Sequence, residues 1–120
     1  MNKPLVYISH AISKGDSFAH VHKACLWFEL LRAEGNVLPY TPHWSGLQQM
    51  IYPLSWDEWI DYDLALIKRG TFDAVFRPHP DTPSVGADRE CQAALDAGIP
   101  VFTSKDELYE WAESKKQGAA

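Results

Sequence analysis

The feature that most constrains this chain is a repeated alternation: a short β-prone run, then a stretch with helical spacing, then a glycine. Leu5, Val6, Tyr7 and Ile8 form a continuous apolar run without polar alternation, the pattern of a strand covered on both faces. After SHAISKGDS, in which Asp16 or Ser17 is placed to cap a helix, Phe18, Val21, Cys25, Phe28 and Leu31 recur at three- and four-residue steps until Gly35. Residues 36–40 read as a second strand. The segment TPHWSGLQQMIYPL, broken by two prolines and a glycine, reads as a loop with a short helical turn. Ser55 with Glu58 three residues on forms a capping box, opening a helix that runs to Gly70. Residues 73–77 then give a strand, 78–83 a loop, 84–97 a helix closed by Gly98, 99–103 a fourth strand and 104–115 a last helix.

Such alternation predicts an α/β fold: a single-domain, doubly wound parallel sheet of four to five strands over residues 1–120, Rossmann- or flavodoxin-like, with helices on both faces. A chain of 120 residues supports one core and not two. Ligands in these sheets bind beyond the carboxyl ends of the strands, which singles out residues 9–16, 39–44 and 78–84 as site loops.

Composition narrows the partners. Eleven Lys and Arg against sixteen Asp and Glu give a net charge of −5, with the basic residues scattered, so a nucleic-acid polymer is not the expected ligand. Polar residues arrive almost at once after the first apolar run, and no stretch approaches the roughly 18 apolar residues of a membrane span, so a cytoplasmic protein with no membrane association is expected. Cys25 and Cys91 lack ligand spacing and read as buried thiols. His20 and His22 point to different helix faces, and His43 and His79 lie in separate loops, so no metal site is expected. Nothing in the sequence calls for a cofactor.

Two carboxylates stand out. Asp63 shares a helix face with Trp56, Ile60 and Ile67 and so interrupts an apolar stripe, where desolvation raises a carboxyl pKa. Glu90 shares a face with Ala87 and Ala94 on the helix that follows PHPDTPSVG, and these small neighbours let its carboxylate approach the sheet edge. Ser84 and the free N–H groups behind it offer a phosphate or hydroxyl site. Paired carboxylates are what glycoside cleavage needs, one to attack the anomeric carbon and one to manage the leaving group's proton. Trp44, Trp56 and Trp59 are candidates to stack on a base, and His43 and His79 to contact base or phosphate.

Taken together, YIS on the first strand, Asp63 in YDLALI, the strand DAVFR, SVGADRE and GIPVF resemble the nucleoside 2-deoxyribosyltransferase superfamily over about the whole chain. That resemblance implies Glu90 as nucleophile, Tyr7 as the residue that orients it, and Asp63 as acid/base for the departing base. Transferases acting on free nucleosides usually carry an Asp six residues before the nucleophile, where 2′-deoxynucleoside 5′-monophosphate N-glycosidases carry a Ser. The chain has Ser84 there, beside Gly86.

The monophosphate branch also has a glycine-rich loop with an Arg after the first strand; here the sequence is SHAISKGD, so Ser9, His10, Ser13 and Lys14 take that place. The resemblance further implies a homodimer or higher homo-oligomer in which a neighbouring subunit completes each site, with Ser104 as the donor. The expected function is therefore an N-glycosidase on (deoxy)nucleoside 5′-monophosphates. The alternatives are a deoxyribosyltransferase that exchanges bases and a nucleotide-binding module without catalysis. A phospho-receiver reading fails on the missing acidic pair after strand one.

Overall fold

Strand β1 (Leu5–Ile8) lies at the centre of a parallel sheet, between β2 (Leu38–Tyr40) and β3 (Ala74–Phe76), with β4 (Val101–Phe102) outside β3. The computed structural model describes residues 3–11 and 17–118, apart from the side chains at 17, 18, 117 and 118. Around the sheet pack α1 (Ser17–Glu34), α2 (Ser45–Ile51), α3 (Trp56–Lys68), α4 (Val85–Asp96) and α5 (Lys105–Gly118). This is the α/β architecture expected, with four strands in the order 2-1-3-4, compatible with a Rossmann- or flavodoxin-like fold.

Side-chain alternation along the strands divides the interior in two. Tyr7 and Val75 project to one face, where Ile60, Leu64 and Ile67 of α3 and Ala93 and Ala94 of α4 meet them. Val6, Ile8, Ala74 and Phe76 project to the other, against Leu31 of α1 and Leu108 and Ala112 of α5. Hence helices cover both faces, and the central strands β1 and β3 read as unbroken apolar runs because they are buried on both sides, while the outer strands β2 and β4 are half-buried.

Local signals set the helix ends. Ser55 accepts from Glu58 N while the Glu58 carboxylate accepts from Ser55 N, both at 3.1 Å, completing the capping box. Gly35, Gly70 and Gly98 have φ of 78°, 76° and 77°, the left-handed conformation that stops a helix at little steric cost.

Several expectations need correction. The 41–54 segment is more helical than a loop with one turn: Thr41 caps a 3₁₀ turn at Pro42–Trp44, with proline at its start, and this runs directly into α2. On α1 the fully buried positions are Ala24 and Leu31, while Val21, Cys25 and Phe28 are only half-buried. A small residue at 24 lets the helix lie close to the sheet, which swings the larger side chains to the flanks. Both cysteines are free and half-buried rather than buried. Asp16, one of the two caps considered for α1, falls outside the described residues, as does the side chain of Ser17.

Candidate functional site

In the order 2-1-3-4 the chain first adds a strand on one side of β1 and then on the other, so the strand order switches between β1 and β3, and open α/β sheets bind ligands at the carboxyl end of such a point. A cavity of about 130 Å³ opens nearby, where α3 and α4 meet the end of β1. Its walls include Asp63 and Ile60 of α3, Trp56 and Trp59 at the start of that helix, and Glu90, Ala87 and Gly86 of α4.

Glu90 is 4 % exposed and is held from the strand below. Tyr7 donates its hydroxyl hydrogen to Glu90 Oε2, and Ser9 Oγ donates to Oε1 at 2.8 Å. Ser9 directly follows β1 and its N–H still pairs with the Phe76 carbonyl at 2.8 Å, so the extended chain aims Tyr7 and Ser9, two residues apart, at the same carboxylate. Burial pushes Glu90 up to about 8, while the Tyr7 and Ser9 hydrogen bonds and the Arg77 charge pull it down and Asp63 pushes it further up. Burial likewise raises Asp63 to about 7, with the Tyr7 hydroxyl acting against the rise. The Tyr7 phenol is itself held well above its ordinary value, first by burial and then by the charge of Glu90, so it stays a donor. Two carboxyls raised to about 7 and about 8 thus share one pocket and titrate as a pair, an arrangement that can supply an acid and a nucleophile when a single proton is held between them.

Sequence reading brought Glu90, Asp63, Tyr7, Ser9, Ser84, Gly86, His10 and His43 to this site, and the structure gathers all of them around it. Ser84 lines the cavity and also caps α4, its Oγ accepting from Ala87 N at 3.0 Å. Its hydroxyl hydrogen remains available to a ligand. At Gly86 an added methyl group would stand 3.2 Å from Ile60 Cδ1 and 3.6 Å from Trp56 Cζ2, so the missing side chain lets α3 and α4 close around the pocket.

The two cavity histidines differ. His43 Nδ1 lies 2.9 Å from Thr41 Oγ1 and Nε2 lies 3.2 Å from the Ala11 carbonyl, so Nε2 donates and Nδ1 accepts. Burial lowers its pKa to about 4, and the neutral ring ties the loop after β2 to the loop after β1. His10 Nδ1 donates to the same carbonyl at 2.9 Å, while its buried Nε2 has no partner among the described residues. His79 stands edge-on to His10 with ring centres 5.2 Å apart, and its Nε2 accepts from Trp27 Nε1 at 3.1 Å. This places His79 behind His10 and not among the residues that line the cavity.

Other candidates lie elsewhere. The Trp44 ring packs edge-on against Phe28 and Tyr40, with centres 5.0 and 5.3 Å away, and does not line the cavity. Ser104 sits at the start of α5, its Oγ 3.4 Å from Glu107 N, away from the pocket of its own chain. Ser13 and Lys14 lie outside the described residues. Among the described residues no group of three or more His, Cys, Asp or Glu is placed to hold a metal ion, and no helix is long and apolar enough to cross a membrane.

Sequence reasoning missed Gln49. Gln49 lines the cavity, and its Oε1 accepts from Trp59 Nε1 at 2.5 Å and from Leu54 N at 2.8 Å, pinning the α2–α3 connection that holds the aromatic wall. A glutamine inside a segment read as loop carries no signal of this. Compared with protein-family models, curated proteins and solved structures, the chain finds no match.

Proposed function

We propose that the chain is an N-glycosidase that hydrolyses the base–sugar bond of (deoxy)nucleoside 5′-monophosphates, with Glu90 as nucleophile and Asp63 as acid/base. One observation carries the reading: a buried Glu90 gripped by Tyr7 and Ser9 shares a small, Trp-walled cavity with an Asp63 whose carboxyl is raised to about 7. In the first step a Glu90 oxygen bonds to the anomeric carbon as the C–N bond breaks. The bonding pair leaves on the base nitrogen, which takes the Asp63 proton. Water then attacks the same carbon, gives its proton to Asp63 and releases Glu90 as a carboxylate, so both groups return to their starting states. Trp56 and Trp59 supply flat apolar surface for a base, and Ser84 with the N-terminus of α4 supplies donors for the phosphate.

Competence needs Glu90 ionised while Asp63 is protonated. Their raised values of about 8 and about 7 lie close together, so the pair titrates as a unit. The expected kcat/KM profile is bell-shaped with its maximum between those values. The direct test is incubation with a panel of nucleosides and monophosphates, reading free base by chromatography. Release of no base from any of them overturns the reading.

Base exchange on free deoxynucleosides is the second reading, and the Ser84 helix cap favours it, because a hydroxyl already engaged with Ala87 N is explained without a phosphate. The first reading includes a cytoplasmic location and a homo-oligomer. Leu47, Met50, Ile51 and Tyr52, between 61 % and 81 % exposed on and just after α2, form an apolar rim beside the cavity for a second copy to cover. Light scattering that finds an active monomer removes that part.

A further inference from the structure

Arg77 has no part in the scheme above, yet its surroundings are unusual for a cation. It follows the last residue of β3, and its N–H still pairs with the Phe102 carbonyl of β4 at 2.8 Å. Alternation from Val75 sends its side chain to the face that α3 and α4 cover. That side chain is only 12 % exposed. Nη1 donates to Asp88 Oδ1 at 2.5 Å and Nη2 to the Thr82 carbonyl at 3.3 Å, while the buried Nε has no partner among the described residues. Thr82 precedes Ser84 by two positions and Asp88 precedes Glu90 by two, so one guanidinium clasps the loop and the first turn that deliver both site residues.

We propose that Arg77 is a positioning residue for Glu90: it fixes the loop and helix turn that carry the carboxylate, and it supplies a fixed positive charge on the same face of the sheet. This rests on Glu90 being the reacting carboxylate. Asp88 is 67 % exposed and shares its charge with water, so it neutralises only the outer side of the guanidinium. On the inner side the field reaches Glu90 and the neighbouring Cys91 thiol, drawing both toward the ionised form against the burial that opposes it. The groups facing Glu90 are Tyr7 of β1 and Ser9 just after it, Asp63 of α3 and Arg77 just after β3, with Cys91 beside it on its own helix. Of these only Arg77 is cationic, whereas Asp63 adds a negative charge on ionising.

The test reads Glu90 without turnover. In protein carrying ¹³C-labelled glutamate, the Glu90 carboxyl signal, assigned by its loss in Glu90→Gln, is titrated in wild type, Arg77→Gln and Arg77→Lys. Arg77→Gln is expected to raise the Glu90 midpoint by roughly 0.5–1 pH unit, and Arg77→Lys, which keeps the charge and loses the two-pronged grip, to stay within about 0.3 unit of wild type. Arg77→Lys should also speed amide exchange across residues 82–88. A folded Arg77→Gln with an unmoved midpoint overturns the proposal, since a merely structural arginine would leave the titration unchanged. If Arg77→Gln does not fold, Arg77→Met, which removes the charge and keeps the aliphatic stem, takes its place, and an unmoved midpoint in it overturns the proposal. Because no substrate is present, the comparison stands even if wild type releases no base from any nucleotide, an outcome that would count against the glycosidase reading alone.

Discussion

The two faces of the sheet are built from the same strands and hold opposite kinds of interior. Beneath α1 and α5 lie Val6, Ile8, Leu31, Ala74, Phe76 and Leu108, all essentially buried and all apolar. Beneath α3 and α4 the packing is interrupted at the end of β1, where Tyr7 and Ser9 meet Glu90 of α4, with Asp63 of α3 beside them. The first face contributes stability. The second gives some of it up, because a carboxylate removed from water costs several kcal/mol unless it is paired or protonated. The proposed site lies where the fold tolerates that cost.

The sharpest way to break this comparison is Glu90→Gln. It should fold and yet release base at least about 10³-fold more slowly, because an amide cannot form the glycosyl intermediate. Near-normal turnover in the folded variant would sink the mechanism. The same substitution should make the protein more stable at alkaline pH. Glu90 has a folded pKa raised above its unfolded value, so its contribution is present below about 4 and is lost as pH rises toward about 8. Glu90→Gln removes that loss, for a gain at pH 8 of about 1 kcal/mol or more and a Tm rise of roughly 3–6 °C by calorimetry. His43 works in the opposite sense. Its pKa is lowered to about 4, so its contribution is present above about 6.5 and fades as pH falls through 4.

On the other face, Leu108→Ala should cost about 2–5 kcal/mol by denaturant unfolding, since it empties a fully buried site, while activity per folded molecule stays close to wild type. A large activity loss with little destabilisation would mean that the two faces are coupled, and that the division of labour drawn between them is wrong.

Between these in locality is Asp63→Asn. It should slow release of poor leaving bases by about 10²-fold and of activated bases much less, because only the former need the proton. Equal losses across a series of leaving groups would remove Asp63 from the acid role.

How much of this could be read from the residues alone follows from the same contrast. Strands buried on both faces, helices closed by glycine and the Ser55 capping box are local signals, and they placed the elements to within a few residues. The face shared by Ala87, Glu90 and Ala94 was equally visible, because helical spacing fixes it. Trp44 was misplaced for a different reason. An aromatic next to a site loop points at a ligand or at another ring depending on the path of the backbone, and the 3₁₀ turn at Pro42–Trp44 directs it to Tyr40 and Phe28. Gln49 and Arg77 act through partners five to eleven positions away in sequence, across turns whose geometry no periodicity encodes.

The smallest expected effect concerns Ser84, which stands where the pocket meets the N-terminus of α4. If its hydroxyl and the helix N–H groups hold a 5′-phosphate, a monophosphate should be cleaved with kcat/KM at least roughly tenfold above its nucleoside, as a charge-assisted hydrogen bond contributes about 1.5–3 kcal/mol. Ser84→Ala should reduce the ratio, but it also removes the cap on Ala87 N and so destabilises α4 by about 1 kcal/mol, which makes stability alone a poor guide. Ser84→Asp separates the two roles. Aspartate caps a helix as well as serine does, so α4 survives, while its charge repels a phosphate dianion and accepts a bond from a free 5′-hydroxyl. The ratio should therefore invert in Ser84→Asp with little change in Tm. An unchanged ratio, together with a wild-type preference for nucleosides, would leave Ser84 as a helix cap and hand the site to the base-exchange reading.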